Sequence, residues 1–215
     1  MTVTRARNEI PTIDVNLVTI ALRTMVEGSL VVTEFGFDTA NQIEVEPQTE
    51  DQDSVKLIIK GKLKAQKPPT SVITGHQITL HDNVFNPELV KVLQGGTILY
   101  WQDANRSTTG ETATDYGVAK YTPPVVGSDD EGSVFELKAY SAIYNAAGII
   151  TGYECITYPN CKGVPVAFNT EDNTFRTPEY TINSAPNTGE APYVIEYVKA
   201  LPELTGTTNM EGPGA

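Results

Sequence analysis

Cysteine and histidine are scarce, with two of each in 215 residues. Two cysteines cannot build a disulfide framework, so a packed core must hold the fold, and Cys155 and Cys161 are expected to be reduced and structural. Two histidines with no third and no nearby cysteine leave a structural zinc site short of ligands. In the run TGHQITLHD, His76 and His81 are an odd number apart, which puts them on opposite faces of a strand. Sharing a metal with Asp82 would need a bulge between them. No apolar run approaches the roughly 18 residues of a membrane span. The N-terminus, MTVTRARNEIP, has two arginines with no apolar stretch behind them and does not read as a signal peptide.

Positive charge is also short. Lys plus Arg number 15 against 27 Asp plus Glu, giving a net charge of −12. That balance argues against general binding to DNA or RNA, which relies on a positive field. The signatures of catalysis are missing too. Gly61-Lys62 lacks the earlier glycine of a phosphate loop and has Leu63 where the hydroxyl should stand. There is no GxSxG elbow, and neither histidine has a recognisable serine or cysteine partner in the sequence. Asp129, Asp130 and Glu131 read as a solvated turn before they read as a calcium site. The expectation is no enzyme, no metal and no cofactor.

What the chain does have is alternation. Residues 13–22 (IDVNLVTIAL) read as a strand buried on much of both faces. Residues 41–47 alternate Ile43 and Val45 against Glu44 and Glu46, and 70–80 place Val72, Ile78 and Leu80 on one parity. Residues 133–144 put Phe135, Leu137, Ala139 and Ile143 on one face, Asn145–Gly148 make a turn, and 149–158 return as a hairpin. Shorter strands are expected near 164–168, 179–183 and 193–198. One helix is expected after residue 84. Asn86 can cap it, Pro87 suits its first position, Leu89, Val92 and Leu93 form its apolar stripe, and Gly95 can stop it. Residues 103–116 read as a long loop or arm, and 205–215 as a disordered tail.

The segment VKLIIKGKLK, residues 55–64, is the most unusual in so acidic a chain. Lys56, Lys60, Lys62 and Lys64 share one parity, and in a single strand they form a comb of ammonium groups backed by an apolar face. Residues 41–47 and 55–64, joined by QTEDQDS, are expected to pair as a hairpin. Glu44 and Glu46 then lie across from the lysines as cross-strand partners. Glu50, Asp51 and Asp53 in the connecting loop offer further carboxylates.

Three phrases carry a resemblance. The run ITLHDNVFNPELVKVLQGG, the turn ITYPNCKGVPVAF and the ending FRTPEYTINSAPNTGEAPY resemble major tail tube proteins of long-tailed, siphovirus-type bacteriophages and of prophages of Gram-positive bacteria. The likeness extends over roughly residues 8–200. It implies a mainly β fold, a sandwich or barrel flanked by one short helix with long hairpins and arms. Residues 1–200 would be one domain and 201–215 a flexible tail. It also implies stacked hexameric rings around a channel for the genome, in a virion tail assembled in the cytoplasm of a bacterial host. The implied partners are other copies of the chain and the tape measure, tail terminator and distal tail proteins, with DNA as cargo that does not stick and no membrane. Hairpins 41–65 and 133–158 are then the candidates to line the channel. An unpaired lysine comb in that wall would grip phosphate, so carboxylates must neutralise it, some from a neighbouring subunit, or it must face away. The alternative is a monomeric β-sandwich binding module for glycans or cell surfaces, which would use the tyrosines; Trp101, after Tyr100 at the end of an apolar strand, reads as core and speaks against it.

Overall fold

Strand β1 (Thr12–Val26) is the spine of the molecule, because consecutive residues Leu17 to Leu22 are all buried. Its even positions Val18, Ile20 and Leu22 enter the main core, facing Phe37, Phe35 and their neighbours on β2 (Ser29–Phe37). Its odd position Leu17 packs on the other side with Tyr140 and Cys155, under Val198 and Leu201. A strand covered on both faces lacks the polar alternation of a half-buried one, and residues 17–22 (LVTIAL) fit that, whereas Ile13 and Asp14 ahead of them are exposed. The computed structural model describes residues 10–26, 29–100 and 117–204. Trp101, the 103–116 loop, most of the N-terminal segment and the 205–215 tail lie outside them.

The remaining elements are β3 (Ala40–Gln52), β4 (Val55–Ile59), β5 (Lys62–Lys67), β6 (Thr70–Asp82), α1 (Pro87–Gln94) and β7 (Thr97–Tyr100). They are followed by β8 (Val118–Thr122), β9 (Phe135–Tyr144), β10 (Ile150–Gly163), β11 (Glu179–Ser184) and β12 (Val194–Val198). The main sheet runs β2-β1-β9-β10-β11-β6-β3, with β12 alongside β10, and every pairing is antiparallel. Its two ends curl toward each other: β1 comes near β3, and side chains from β1, β2, β6, β9, β10 and β11 share one core. Helix α1 closes that core with Leu89, Val90, Val92 and Leu93. The result is the expected class, a mainly β sandwich-like fold with a single short helix among the described residues.

The helix forms as its sequence dictates. The Asn86 Oδ1 accepts from the backbone N–H groups of Glu88 at 2.9 Å and Leu89 at 3.3 Å, a cap that stabilises by about 1 kcal/mol. Gly95 ends it at φ 82°, donating its N–H to the Lys91 carbonyl. A helix of about two turns is not stable alone, so its burial on the sheet holds it. The β9–β10 hairpin also forms. Asn145 Oδ1 accepts from the N–H groups of Ala147 and Ile149, tying the turn.

Two expectations need correction. Residues 164–168 do not form a strand: Pro165 has no N–H to donate, and the Val166 N–H goes to the Gln94 side chain at 2.8 Å. Tyr158-Pro159-Asn160 is no turn between strands but a bulge within β10, where Asn160 takes φ 48° and the register with β9 shifts between Tyr158 and Cys161. A bulge is where a strand tolerates proline.

Both cysteines are buried free thiols, Cys161 in the main core and Cys155 in the smaller cluster. Burial pushes the Cys161 thiol up to about 12. The nucleophile in alkylation is the thiolate, so Cys161 in the folded protein should resist iodoacetamide at pH 8 and react once denaturant is added. Rapid labelling of native Cys161, located by peptide mass, would contradict this environment. Changing Cys155 to Ser and Cys161 to Ala together should leave any self-assembly intact, as read by sedimentation.

Candidate assembly surface

Strands β3 and β6 are longer than the core they serve. Their ladder starts at Ala40–Asp82 and runs to Gln52–Thr70, but burial stops near Gly75 and His76. Beyond that point the two strands project, and β4 and β5 extend the projection as a separate two-stranded hairpin. Residues 46–74 are exposed throughout except for Ser54, which is half-buried. Gly75 marks the root of this arm: a Cβ there would sit 2.2 Å from the Ser184 carbonyl oxygen of β11, so only glycine permits the close approach.

The lysine comb is therefore not one strand. Lys60 and Gly61 occupy a two-residue turn with φ 49° and 77°, the type I′ geometry of tight hairpins. Ile59 pairs with Lys62 and Ile58 with Leu63; the register then shifts, so that Lys64 has no cross-strand partner and Leu57 meets Ala65. Cross-strand pairs share a face, so Lys62 lies with Ile59 while Lys56 lies on the opposite side. The four lysines are spread over both faces, the tip and a bulge. The expected hairpin of 41–47 with 55–64 is likewise replaced: Glu44 stands opposite Thr79, and Glu46 opposite Gln77. Glu50 faces Val72, and Asp51 faces Ser71, whose hydroxyl donates to it. Asp53 lies between β3 and β4. Among the described residues, none of Lys56, Lys60, Lys62 and Lys64 makes an ion pair.

Charge and greasiness coincide on this arm. Residues 55–67 contain five of the chain's 15 basic residues and none of its 27 acidic ones. The same segment exposes Val55, Leu57, Ile58, Ile59 and Leu63, with Ile58 at 60% and Val55 at 65% exposure. Apolar side chains lie on both faces of the hairpin, so neither face reads as a simple solvent side. An isolated two-stranded hairpin is marginal in water, which makes this one a structure in need of a surface.

The helix residues Asn86, Pro87, Leu89, Val92, Leu93 and Gly95 lie away from the arm, on the core side of the body. Sequence reasoning missed the cluster at the arm's root. His76, opposite Pro47 on β3 and Ser184 on β11, is buried between Tyr158 and Tyr193, with ring centroids at 5.4 Å and 5.3 Å. Its Nδ1 has no hydrogen-bond partner, and burial lowers its pKa below the ordinary 6.5. The unfolded chain then takes up the proton first, so stability is held above about pH 6.5 and lost as pH falls through it toward the lower folded value. His76→Phe should flatten that part of a denaturant-midpoint against pH curve; an unchanged slope would contradict the assignment. His81 is half-buried, and no group of three His, Cys, Asp or Glu among the described residues could hold a metal ion.

No helix among the described residues is long and apolar enough to cross a membrane. No family model and no curated protein matches the chain. A chain in a solved structure titled "Cryo-EM structure of the anti-feeding prophage (AFP) baseplate, 6-fold symmetrised" is similar at 7% identity and a TM-score of 0.31, covering 87% of this chain and 91% of that one. A likeness at that level does not bear on function.

Proposed function

We propose that this protein is a structural subunit of a phage tail, whose copies close into hexameric rings and stack into a tube for passage of the genome. The observation that carries the reading is the arm: a basic, apolar hairpin projecting from an acidic body, which nothing among the described residues covers. A ring of identical subunits supplies such a cover, since each arm can meet the same patch on the next copy. The resemblance of three sequence phrases to tail tube proteins supports the same reading. So does the charge, about six times −12 per ring, which repels a phosphate backbone instead of gripping it.

In this account the folded unit is residues 1–200, with 201–215 as a tail, and the particle is a virion tail built in the cytoplasm of a bacterial host. Tape measure, tail terminator and distal tail proteins are its other partners, DNA is cargo, and no cofactor or catalysis is involved. Lys56, Lys60, Lys62 and Lys64 are assembly contacts to carboxylates on a neighbouring copy, with Glu44, Glu46, Glu50, Asp51 and Asp53 among the candidates. Exposed ion pairs contribute at most about 1 kcal/mol each, but a closed ring repeats every one of them. Lys60→Glu with Lys62→Glu should lower the polymer fraction in sedimentation while leaving the denaturation midpoint of the subunit unchanged. An unchanged polymer fraction would sink the role given to the lysines.

A further inference from the structure

Deepening that reading, on which it rests, we propose that the tip of each arm docks into a specific groove on a second copy, between the end of α1 and the loop of residues 123–132. The groove is a cavity of about 510 Å³ whose apolar lining includes Pro123, Val125, Val126 and Pro165. Val126 is fully exposed, at the corner of a turn closed by the Ser128 N–H on the Val125 carbonyl, and Val134 nearby in sequence is more than half exposed. Val125 beside Val126 is 76% exposed, so the corner offers two adjacent unpartnered valines as an apolar contact surface.

The groove's rim carries more acid than base, with Asp130 and Glu131 against Lys162, and the arm's tip is basic. Asp130 and Glu131 line the groove, Asp129 adjoins them, and all three are exposed. Asp130 accepts from the Gly96 N–H at 3.0 Å and Glu131 accepts from Lys162, which leaves acceptor capacity on both carboxylates and all of it on the Asp129 side. The tip offers the complement: Lys60 and Lys62 at a turn, flanked by Ile58, Ile59 and Leu63. Its two strands lie about 5 Å apart, so the tip can enter a recess that the length of the arm cannot. Lys60 also holds a positive φ, a position where glycine or asparagine is the easier choice, yet it places an ammonium group at the leading point. The exposed edge strand β2 is a poorer receptor, because its Glu34 already accepts from Thr19 at 2.6 Å and pairs with Lys138 at 3.3 Å.

The test uses two full-length variants, Ile59→Cys and Val126→Cys, mixed and oxidised in a glutathione buffer, with the native chain as control because its own thiols are buried. The expected result is a disulfide-linked pair joining the two variants, located by mass spectrometry. Disulfide-linked dimer of any kind should be at least tenfold more abundant in the mixture than in either variant alone, and the mixed link should be lost when the Ile59→Cys chain also carries Lys60→Glu and Lys62→Glu. Predominant Ile59→Cys self-linkage would show arms pairing with arms and overturn the groove assignment. Polymers without the mixed link would overturn the groove while sparing the assembly reading, and a mixture that stays monomeric would sink both.

Discussion

Replacing residues 53–69 with an Asn-Gly turn should abolish self-assembly and leave the subunit folded. The last β3–β6 pair is Gln52 with Thr70, so a two-residue type I′ loop can join those ends without disturbing the ladder. Everything removed is exposed except half-buried Ser54, and none of it belongs to either core cluster. Surface changes of this kind move stability by about 0.5 kcal/mol or less, so the denaturation midpoint should hold. The polymer fraction should fall below detection at concentrations where the intact chain assembles. Loss of folding on excision would mean the arm is a structural brace. Undiminished polymer would mean the copies meet elsewhere.

Phe135→Ala should have the opposite signature, a large loss of stability that depends on nothing outside the subunit. Phe135 is 1% exposed at the start of β9, opposite Leu22 on β1 and Cys161 on β10, in the cluster that joins both ends of the curled sheet. Truncating such a side chain removes its transfer free energy and leaves a cavity, at a cost of about 3–5 kcal/mol. Against a total of about 5–15 kcal/mol this is roughly a fifth or more of the fold's stability. For a chain of this size it should lower the melting temperature by roughly 6–20 °C. Ile58→Ala, on the arm, should leave melting unchanged and weaken assembly alone. A small effect of Phe135→Ala on melting would show that the core is less tightly packed around β9 than its burial implies.

These two variants separate what the sequence made legible from what it hid. Helix α1 was readable because every signal in it is local: Asn86, Pro87 and Gly95 act within a few residues of the turns they define. The burial of β1 on both faces and the β9–β10 hairpin were readable for the same reason, since an apolar run and an adjacent turn need no distant partner. The lysine comb misled because a two-residue turn changes which parity faces which side. Ile59 and Lys62 are three apart in sequence and yet neighbours on one face. Lys60-Gly61 was the available turn signal, hidden inside an unbroken period of two. The partner of β3 was hidden for a different reason. The nearest strand in sequence was β4, but β4–β5 is an insertion between two strands that pair across it.

The candidate surface was legible in its chemistry and not in its geometry. Composition placed five cations in one short segment, and alternation flagged the apolar residues beside them. Only the fold could show that they project beyond the core, and that Asp130 and Glu131 rim a groove with Val125 and Val126. The cluster of His76, Tyr158 and Tyr193 brings three distant segments together, so no local pattern announces it.

The central claim is that the exposed arm exists to join copies of this chain into a tube. Negative-stain images of the purified protein, taken across a concentration series, test it most directly. The account predicts rings with sixfold symmetry and a central channel, stacking into tubes as concentration rises. A field of single small particles at every concentration and salt, matched by a monomeric mass in light scattering, would contradict it.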